Sequence, residues 1–408
     1  MTTDRELSLE EVPDAAAVQS AIDALEPGGR LILPEMELTL DRGLELRSGV
    51  ELVGQGEGTI LRKGPGRVYP LSGYHNYGMC DVPLVSTAGL AVGMTVSVLD
   101  DERLGFYETF ARISWIDGHW VGLDRGVEAD YLAECQPRLT TAYPMIFGHG
   151  IADVAVRDLA LEGNSRLQEV PMGACRGAAV YFSRSRRIEV TGVRERDYRG
   201  EGIGFQMCRD VVIRDCRVSD NAGNGLHPGA GSTNCLLEAN TSIGNGKSGF
   251  FFCVRATRIT VRGCRFEGNG DGVSIGIRDC HNLIESCALV GNRGVGLLVR
   301  EAPAPVEVHS CEIAGCEIAA NGIAAGDPQV SIPAAAHDLI LSGNRIDGAG
   351  RTVGIAAAVG ARNLYLRDNR FAGCSEDAAV DGVSLASSPP PFVRGFGDYP
   401  DKAFRHLP

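Results

Sequence analysis

The 408-residue chain contains no apolar run of about eighteen residues, the length at which a membrane-spanning helix becomes a candidate. Positive charge is scarce: 39 Lys and Arg face 52 Asp and Glu, leaving a net charge of −13. The basic footprint that binds nucleic-acid phosphates is therefore missing. There are 13 cysteines but no C-x-x-C pair, which removes the commonest zinc signature. The first residues, Met1-Thr2-Thr3-Asp4-Arg5-Glu6, lack the apolar segment of a secretory signal,. With an odd number of thiols, this leads to the expectation of a reducing, cytoplasmic location. A secreted or periplasmic protein trimmed of its leader would read the same way.

What the chain has is repetition. The segments 178–183, 201–206, 224–229, 248–253, 271–276 and 295–300 align without a gap at intervals of 23 or 24 residues, so one repeat is one supersecondary unit stacked on its neighbours. Within a repeat no stretch is long enough for an amphipathic helix, which excludes helical solenoids, and short strands alternate with Gly/Asn turns. A second strand per repeat, seen at Val211–Cys216, Arg258–Cys264 and Val306–Cys311, alternates apolar and polar residues. One of its faces is buried and the other wet. Asn221, Asn245, Asn269 and Asn292 recur in register, the last three beside glycines, and are expected to bond one coil to the next.

Near the N-terminus, Asp14 is placed to cap a short helix whose Val18, Ile22 and Leu25 share one face, followed by Pro27-Gly28-Gly29-Arg30-Leu31-Ile32-Leu33-Pro34,. With the Gly/Asn-cornered strand repeats, this pattern resembles the right-handed parallel β-helices of the pectate-lyase-like superfamily. The resemblance implies an all-β, single-stranded right-handed parallel β-helix over residues 14–385, its open end capped by the N-terminal helix. The stretch 85–143 interrupts the coils and reads as consecutive β-hairpins with an Asp117-Gly118 turn,, an inserted small β-subdomain. Its Tyr107, Trp115, His119, Trp120 and Tyr131 either pack the hairpins or offer faces for sugar rings. Pro389-Pro390-Pro391 ends the coils, and residues 386–408 are expected to form an extended tail.

Cys216, Cys264, Cys287 and Cys311 occupy one strand position in successive repeats, with Asn240, Asn344 and Asn369 in the same series. Such a ladder is packing, because a buried thiol behaves as a small hydrophobe. In the aligned strand, Val180, Ile203, Leu226, Phe250, Val273 and Leu297 form one apolar column and Phe182, Phe205, Pro228, Phe252, Ile275 and Val299 another. Alternation turns the columns between them outward. The first is Tyr181, Gly204, His227, Phe251, Ser274, Leu298; the second is Ser183, Gln206, Gly229, Cys253, Gly276, Arg300. Polar and aromatic side chains interspersed with glycine suggest an open ligand groove.

His227, amid glycines, is the candidate general acid or base, with Tyr181 in the same column. Glu201 and Asp271 share a third column; three coils apart, or roughly 14 Å at the strand spacing, they are too distant for a glycosidase pair. Asp197 with Glu201, or Asp271 with Glu301, is a further carboxylate pairing, in or beside turns. Gln206, Phe251 and Ser274 are candidate substrate contacts. Arg255, Arg278 and Arg300 form a positive patch able to grip carboxylates, unless each pairs with an acid such as Asp279 or Glu301.

The resemblance admits lyases, hydrolases, epimerases and binding proteins, because a fold does not fix a reaction. The residues favour a polysaccharide lyase or C5-epimerase on uronate-containing glycans. An arginine would neutralise the carboxylate, His227 would take the C5 proton and Tyr181 would supply an acid. A glycoside hydrolase at the same groove is the second reading, and a glycan-binding or self-assembling β-helix the third. The expected partner is an oligo- or polysaccharide, with homo-oligomers open and neither nucleic acid nor membrane involved. Relatives of this fold hold Ca2+ with aspartates; no tight Asp cluster lies on the outward columns, so no metal or cofactor is assigned.

Overall fold

A computed structural model of the chain describes residues 4–103, 107–172, 176–333, 335–391 and 395–397. It divides into two compact units. The first comprises Met1–Phe182, Val193–Gly204 and Asn221–Gly223, and the second Ser183–Gly192, Phe205–Asp220 and Asn224–Pro408. The architecture is an all-β parallel solenoid. Among the described residues there is one α-helix, and no helix is long and apolar enough to cross a membrane.

In the first unit, Asp14 caps the helix Ala15–Ala24 by accepting from the Ala17 amide at 2.8 Å. Val18 and Ile22 are fully buried. Gln19 docks the helix by bonding both backbone groups of Glu45, at 2.8 and 3.0 Å. Arg47 closes the other end by donating to the Ile22 and Leu25 carbonyls. Parallel strands follow: Arg30–Ile32 and Met36–Leu40 pair with Glu51–Lys63, which pairs with Ala152–Glu162.

The interrupting stretch is a six-stranded antiparallel sheet in the order Val68–Pro70, Arg138–Thr140, Thr95–Leu99, Thr109–Asp117, Trp120–Leu123, Asp81–Pro83. Two of its strands, Val68–Pro70 and Asp81–Pro83, precede residue 85. The sheet has its own core, including Tyr69, Val82, Val98, Ile113, Val121 and Tyr131. The Tyr131 hydroxyl is satisfied by Thr109 and by the Val98 and Tyr107 carbonyls. Where Glu51–Lys63 leads toward this sheet, Lys63 is buried, donating to the Thr141 carbonyl at 3.0 Å with its amine 3.9 Å from the Tyr143 ring centre.

The second unit repeats three parallel strand stacks. One runs from Arg186–Thr191 through Arg209–Arg214, Thr233–Glu238 and Thr257–Arg262 to Tyr365–Arg367. The next runs from Arg217–Ser219 to Arg370–Ala372. The third contains Leu226–Pro228, Phe250–Phe251, Val273–Ile275, Leu297–Val299, Val330–Ile332, Ile355–Ala357 and Ala378–Ala379. The corner between the first two stacks is a single left-handed residue in each coil: Asp215, Ala239, Gly263, Ser286, Gly315 and Gly343, with φ of 53–64°. Non-glycine residues pay about 1 kcal/mol or more for that conformation. Here the parallel ladders on both sides hold it.

The residue after each corner points inward and forms the sulfur and asparagine ladder. Its members are Cys216, Asn240, Cys264, Cys287, Cys316, Asn344 and Asn369, fixed by the register of the following strands. Cys316 therefore replaces Cys311 in the expected series. The coil between Cys287 and Cys316 is longer than its neighbours, and Cys311 is displaced into the column of Asn282. The Cys216 amide donates to Asn240 Oδ1 at 3.0 Å and the Cys316 amide to Asn344 Oδ1 at 2.9 Å.

The asparagine ladder at the next corner links Asn245, Asn269, Asn292 and Asn321. Each side-chain oxygen accepts both the backbone and the side-chain N–H of the preceding member, at 2.7–3.2 Å, and Gln329 ends the series. Asn221 instead bonds Glu195 and the Tyr198 amide in the first unit. Of the expected tail, residues 392–394 and 398–408 lie outside the described residues; the Phe396 amide donates to Thr260 Oγ1 and the Gly397 amide to Asn234 Oδ1.

Two outcomes follow from this packing. Asn269→Ala removes the acceptor of the Asn245 backbone N–H and of one Nδ2 bond, the other going to Ser242 Oγ, and should cost about 2–4 kcal/mol in denaturant titration. Lys63 is the second. Burial lowers its folded-state pKa to about 7 from the ordinary 10.5, so the unfolded chain binds the extra proton between those values. Stability should therefore rise with pH across about 7 to 10.5, and Lys63→Met should remove that rise from a pH series of unfolding curves.

Candidate functional site

The outer face of the third stack in the second unit carries one chemically distinct side chain per coil. Leu226, Phe250, Val273 and Leu297 are buried inward; alternation puts His227, Phe251, Ser274 and Leu298 on the other side of the strands. Phe251, Leu298 and Arg300 are half-buried. His227 is 2 % exposed, Ser274 1 % and Gln206 1 %, so the open groove expected here is closed.

The glycines explain the closure. A Cβ on Gly229 would stand 2.0 Å from Gln206 Cδ, and one on Gly276 would stand 2.6 Å from Arg300 Nη2. The room that the glycines leave is filled by long side chains of neighbouring coils. Gln206 is locked there, its Oε1 accepting from the Ala230 amide at 2.6 Å.

Arg300 is the most constrained charge on this face. Nη1 donates to Ser274 Oγ at 2.8 Å and Nη2 to the Phe252 carbonyl, two coils away, at 2.7 Å. The guanidinium lies 4.1 Å from the Phe251 ring centre, and that ring meets the His227 imidazole edge-on at 5.1 Å. Behind it sits Asp279, with no solvent exposure. Asp279 accepts from the Gly276 and Ala256 amides at 2.7 and 2.9 Å and stands 3.7 Å from Arg300 Nη2. Burial pushes the Asp279 carboxyl well above the usual range, against the pull of both amides and of Arg300. Burial also lowers the Arg300 pKa, with Asp279 opposing. The ring beneath the guanidinium and two directional bonds fix the fork's position, with Nη2 shared between the Phe252 carbonyl and Asp279,.

The other candidates are placed as follows. Arg255 and Arg278 are exposed at left-handed corners of successive coils (φ 62° and 56°), their backbones one strand spacing apart, about 4.8 Å. Asp271 lies two residues before the strand Val273–Ile275 and accepts from the Val295 amide at 3.1 Å; burial raises its pKa. Cys253 is buried. Tyr181 and Glu201 belong to the first unit, both buried. Tyr181, expected to face outward, is covered by Phe110 of the antiparallel sheet, ring centres 6.4 Å apart. The Arg176 guanidinium lies 5.8 Å from the centre of the Phe110 ring.

The structure thus brings His227, Phe251, Ser274 and Arg300 into one row. Sequence reasoning named Asp279 as an acid with which an arginine could pair, and Arg300 does stand 3.7 Å from it; what it missed is that Asp279 is itself fixed by two backbone amides. The signal was there in Gly276-Ile277-Arg278-Asp279, the spacing at which an Asp side chain closes a turn on an amide three residues back. Among the described residues, no group of three or more His, Cys, Asp or Glu is arranged to hold a metal ion.

Gly276→Ala should therefore cost about 1–3 kcal/mol, because the new Cβ collides with the guanidinium. Combined with Arg300→Ala the same change meets empty space, so a double-mutant cycle by chemical denaturation should show a coupling of about 0.5–3 kcal/mol.

The comparisons with known proteins agree on the fold. The family described as a right-handed β-helix region matches residues 148–276. The A-module of the Azotobacter vinelandii mannuronan C-5 epimerase AlgE6 is similar in structure, with a TM-score of 0.59 at 17% identity over 93% of this chain and 97% of that one. The AlgE4 A-module of the same organism gives 0.55 at 18% over 93% and 96%. A polygalacturonase from Erwinia carotovora gives 0.60 at 10% over 96% of each. No curated protein sequence matches the chain.

Proposed function

Because the chain is a right-handed parallel β-helix of the pectate-lyase-like kind, a fold on which solved epimerases and a polygalacturonase are also built, we propose that it is a carbohydrate-active enzyme that removes the C5 proton of a uronate residue. Elimination is the first reading and C5 epimerisation the second. The observation that carries the proposal is Arg300, a half-buried cation set over the Phe251 ring and braced by Ser274, the Phe252 carbonyl and Asp279. On a protein of net charge −13, a fixed guanidinium is a local exception suited to a carboxylate.

In this reading Arg300 neutralises the uronate carboxylate, so that the charge left when C5 loses its proton is stabilised by a group already in place. His227, next along the row beyond Phe251, takes the proton; it is 2 % exposed, so in this reading the closed face opens to let a uronate reach it, and a base shielded from bulk water then acts without its competition. In elimination the C5–H electron pair forms the C4=C5 bond, the C4–O4 bond breaks and the imidazolium returns its proton to O4. In epimerisation a solvent water gives a proton to C5 from the opposite face, and the imidazolium releases its proton to the hydroxide left behind. Arg255 and Arg278 extend the positive charge to neighbouring uronates of the chain.

The hydrolase reading has less support. It needs two available carboxylates about 5–9.5 Å apart, and on this face Asp279 is turned onto two backbone amides and Asp271 onto a third.

The test is incubation of the protein with polymannuronate, polyguluronate and polygalacturonate in D2O, following unsaturated-uronate absorbance, C5 deuterium by NMR and reducing ends. Absorbance with new reducing ends supports elimination, and C5 deuterium without absorbance supports epimerisation. Arg300→Ala should lower either activity by about a hundredfold or more, Arg300→Lys by less, and His227→Gln should abolish it. Reducing ends without absorbance or deuterium would replace the proposal with hydrolysis. Saturable binding without any reaction would replace it with a glycan-binding role.

A further inference from the structure

The chain has two tryptophans, and both are displayed on one side of the antiparallel sheet in the first unit, Trp115 44 % and Trp120 45 % exposed. In a protein with so few large aromatics this placement has a backbone cause. Along Thr109–Asp117 the side chains of Thr109, Ala111 and Ile113 point into the sheet's core. Continued alternation would turn Trp115 inward as well. The register against Trp120–Leu123 shifts instead, with Gly122 opposite Trp115 and Leu123 opposite Ile113, leaving Ser114 as the extra residue of a β-bulge. Beyond the bulge Ile116 faces the core with Val121, and Trp115 comes out on the same side as Trp120. Bulges commonly re-aim a side chain in this way.

The outer face then reads in two rows across three strands: Trp115, Gly122, Asp81 and Asp117, Trp120, Pro83. Gly122 is buried, although its position faces out, because the pyrrole ring of Trp115 occupies the space of a Cβ, which would stand 2.0 Å from Nε1. The indole is thereby seated on the neighbouring strand with its remaining surface open. Trp115 and Trp120 sit on diagonal positions, about 7–8 Å apart at the backbone.

We infer that this face is a glycan-binding platform for uncharged pyranose rings, separate from the Arg300 row. The C–H face of a pyranose stacks on the electron-rich face of an indole. Asp81 and Asp117 bracket the aromatic pair and accept hydrogen bonds from ring hydroxyls. None of the six residues is cationic, so a uronate carboxylate would meet two like charges and no counter-charge, which selects neutral sugars. Two indoles also present far less area than the roughly 800 Å² per partner of a stable protein interface. A small flat ligand fits that area and a second copy of the chain does not.

The two tryptophans make the test direct, because tryptophan emission from the intact protein reports on this platform alone. Cellohexaose, mannohexaose and xylohexaose are each titrated against the full chain, with polygalacturonate as the charged comparison, following emission and its quenching by acrylamide. A saturable blue shift with protection from acrylamide by at least one neutral hexasaccharide is expected. Trp120→Ala should weaken it about fivefold or more, Asp117→Asn should weaken it less, and Trp120→Phe, which keeps a ring and guards against misfolding, should retain most of it. Protection by polygalacturonate alone would overturn the inference in favour of an acidic glycan. Protection that grows with protein concentration without sugar would assign the face to a second copy. No change with any sugar would overturn the inference outright. The outcome is independent of the Arg300 variants, so this inference and the proposed reaction can fail separately.

Discussion

In-register stacking of parallel coils is the constraint on which the second unit depends. Each strand pairs with the equivalent strand of the next coil, so a side chain is confronted by the residue at its own position one repeat later. At the corners this favours a residue that can donate upward and accept from below with the same group. The Asn245, Asn269, Asn292 and Asn321 amides do so without solvent, the oxygens of Asn269, Asn292 and Asn321 each taking two N–H groups. Paired in this way a buried amide is neutral or favourable; with one member missing it costs its full desolvation. The ladder thus fixes register as well as stability, because a slip of one residue would strand several amides together.

The same rule decides what could be read from the sequence. Inward columns such as Leu226, Phe250, Val273 and Leu297 were legible because burial demands one chemical type at one spacing, and so was the helix capped by Asp14. Cys316 was misread as Cys311 because periodicity says nothing about a coil that lengthens, and the longer passage after Arg300 shifts the frame. The outward columns were legible in membership but not in exposure. A glycine outside a strand signals space, and the sequence does not say which neighbour uses it. At Gly229 and Gly276 the users are Gln206 and Arg300, residues 23 and 24 positions away, and their reach depends on rotamers that no pattern encodes.

A stacked repeat supplies one side chain per coil at any position, so a chemical site on it must be made by side chains that cross coils. Arg300 reaches Ser274 one coil back and the Phe252 carbonyl two coils back, and so ties three coils together around one charge. The anchoring costs conformational freedom in the free protein, where the packing of the solenoid offsets it, rather than at the moment of binding. An unanchored lysine at position 300 would carry the same charge but would lose its geometry at each encounter.

The antiparallel sheet solves the converse problem. It has no repeat to obey, so a single unpaired residue, Ser114, is enough to turn Trp115 from core to surface, and one glycine, Gly122, is enough to seat the ring. Within the stacked coils of the second unit, extra length is carried in the passages between paired strands, as after Arg300, because a residue added inside a strand would shift a ladder that neighbours on both sides depend on. In a six-stranded sheet with its own core the disturbance is confined to one hairpin. That difference in tolerance is a physical reason for large exposed aromatics to sit on the insertion, while the coils carry charge locked between registers.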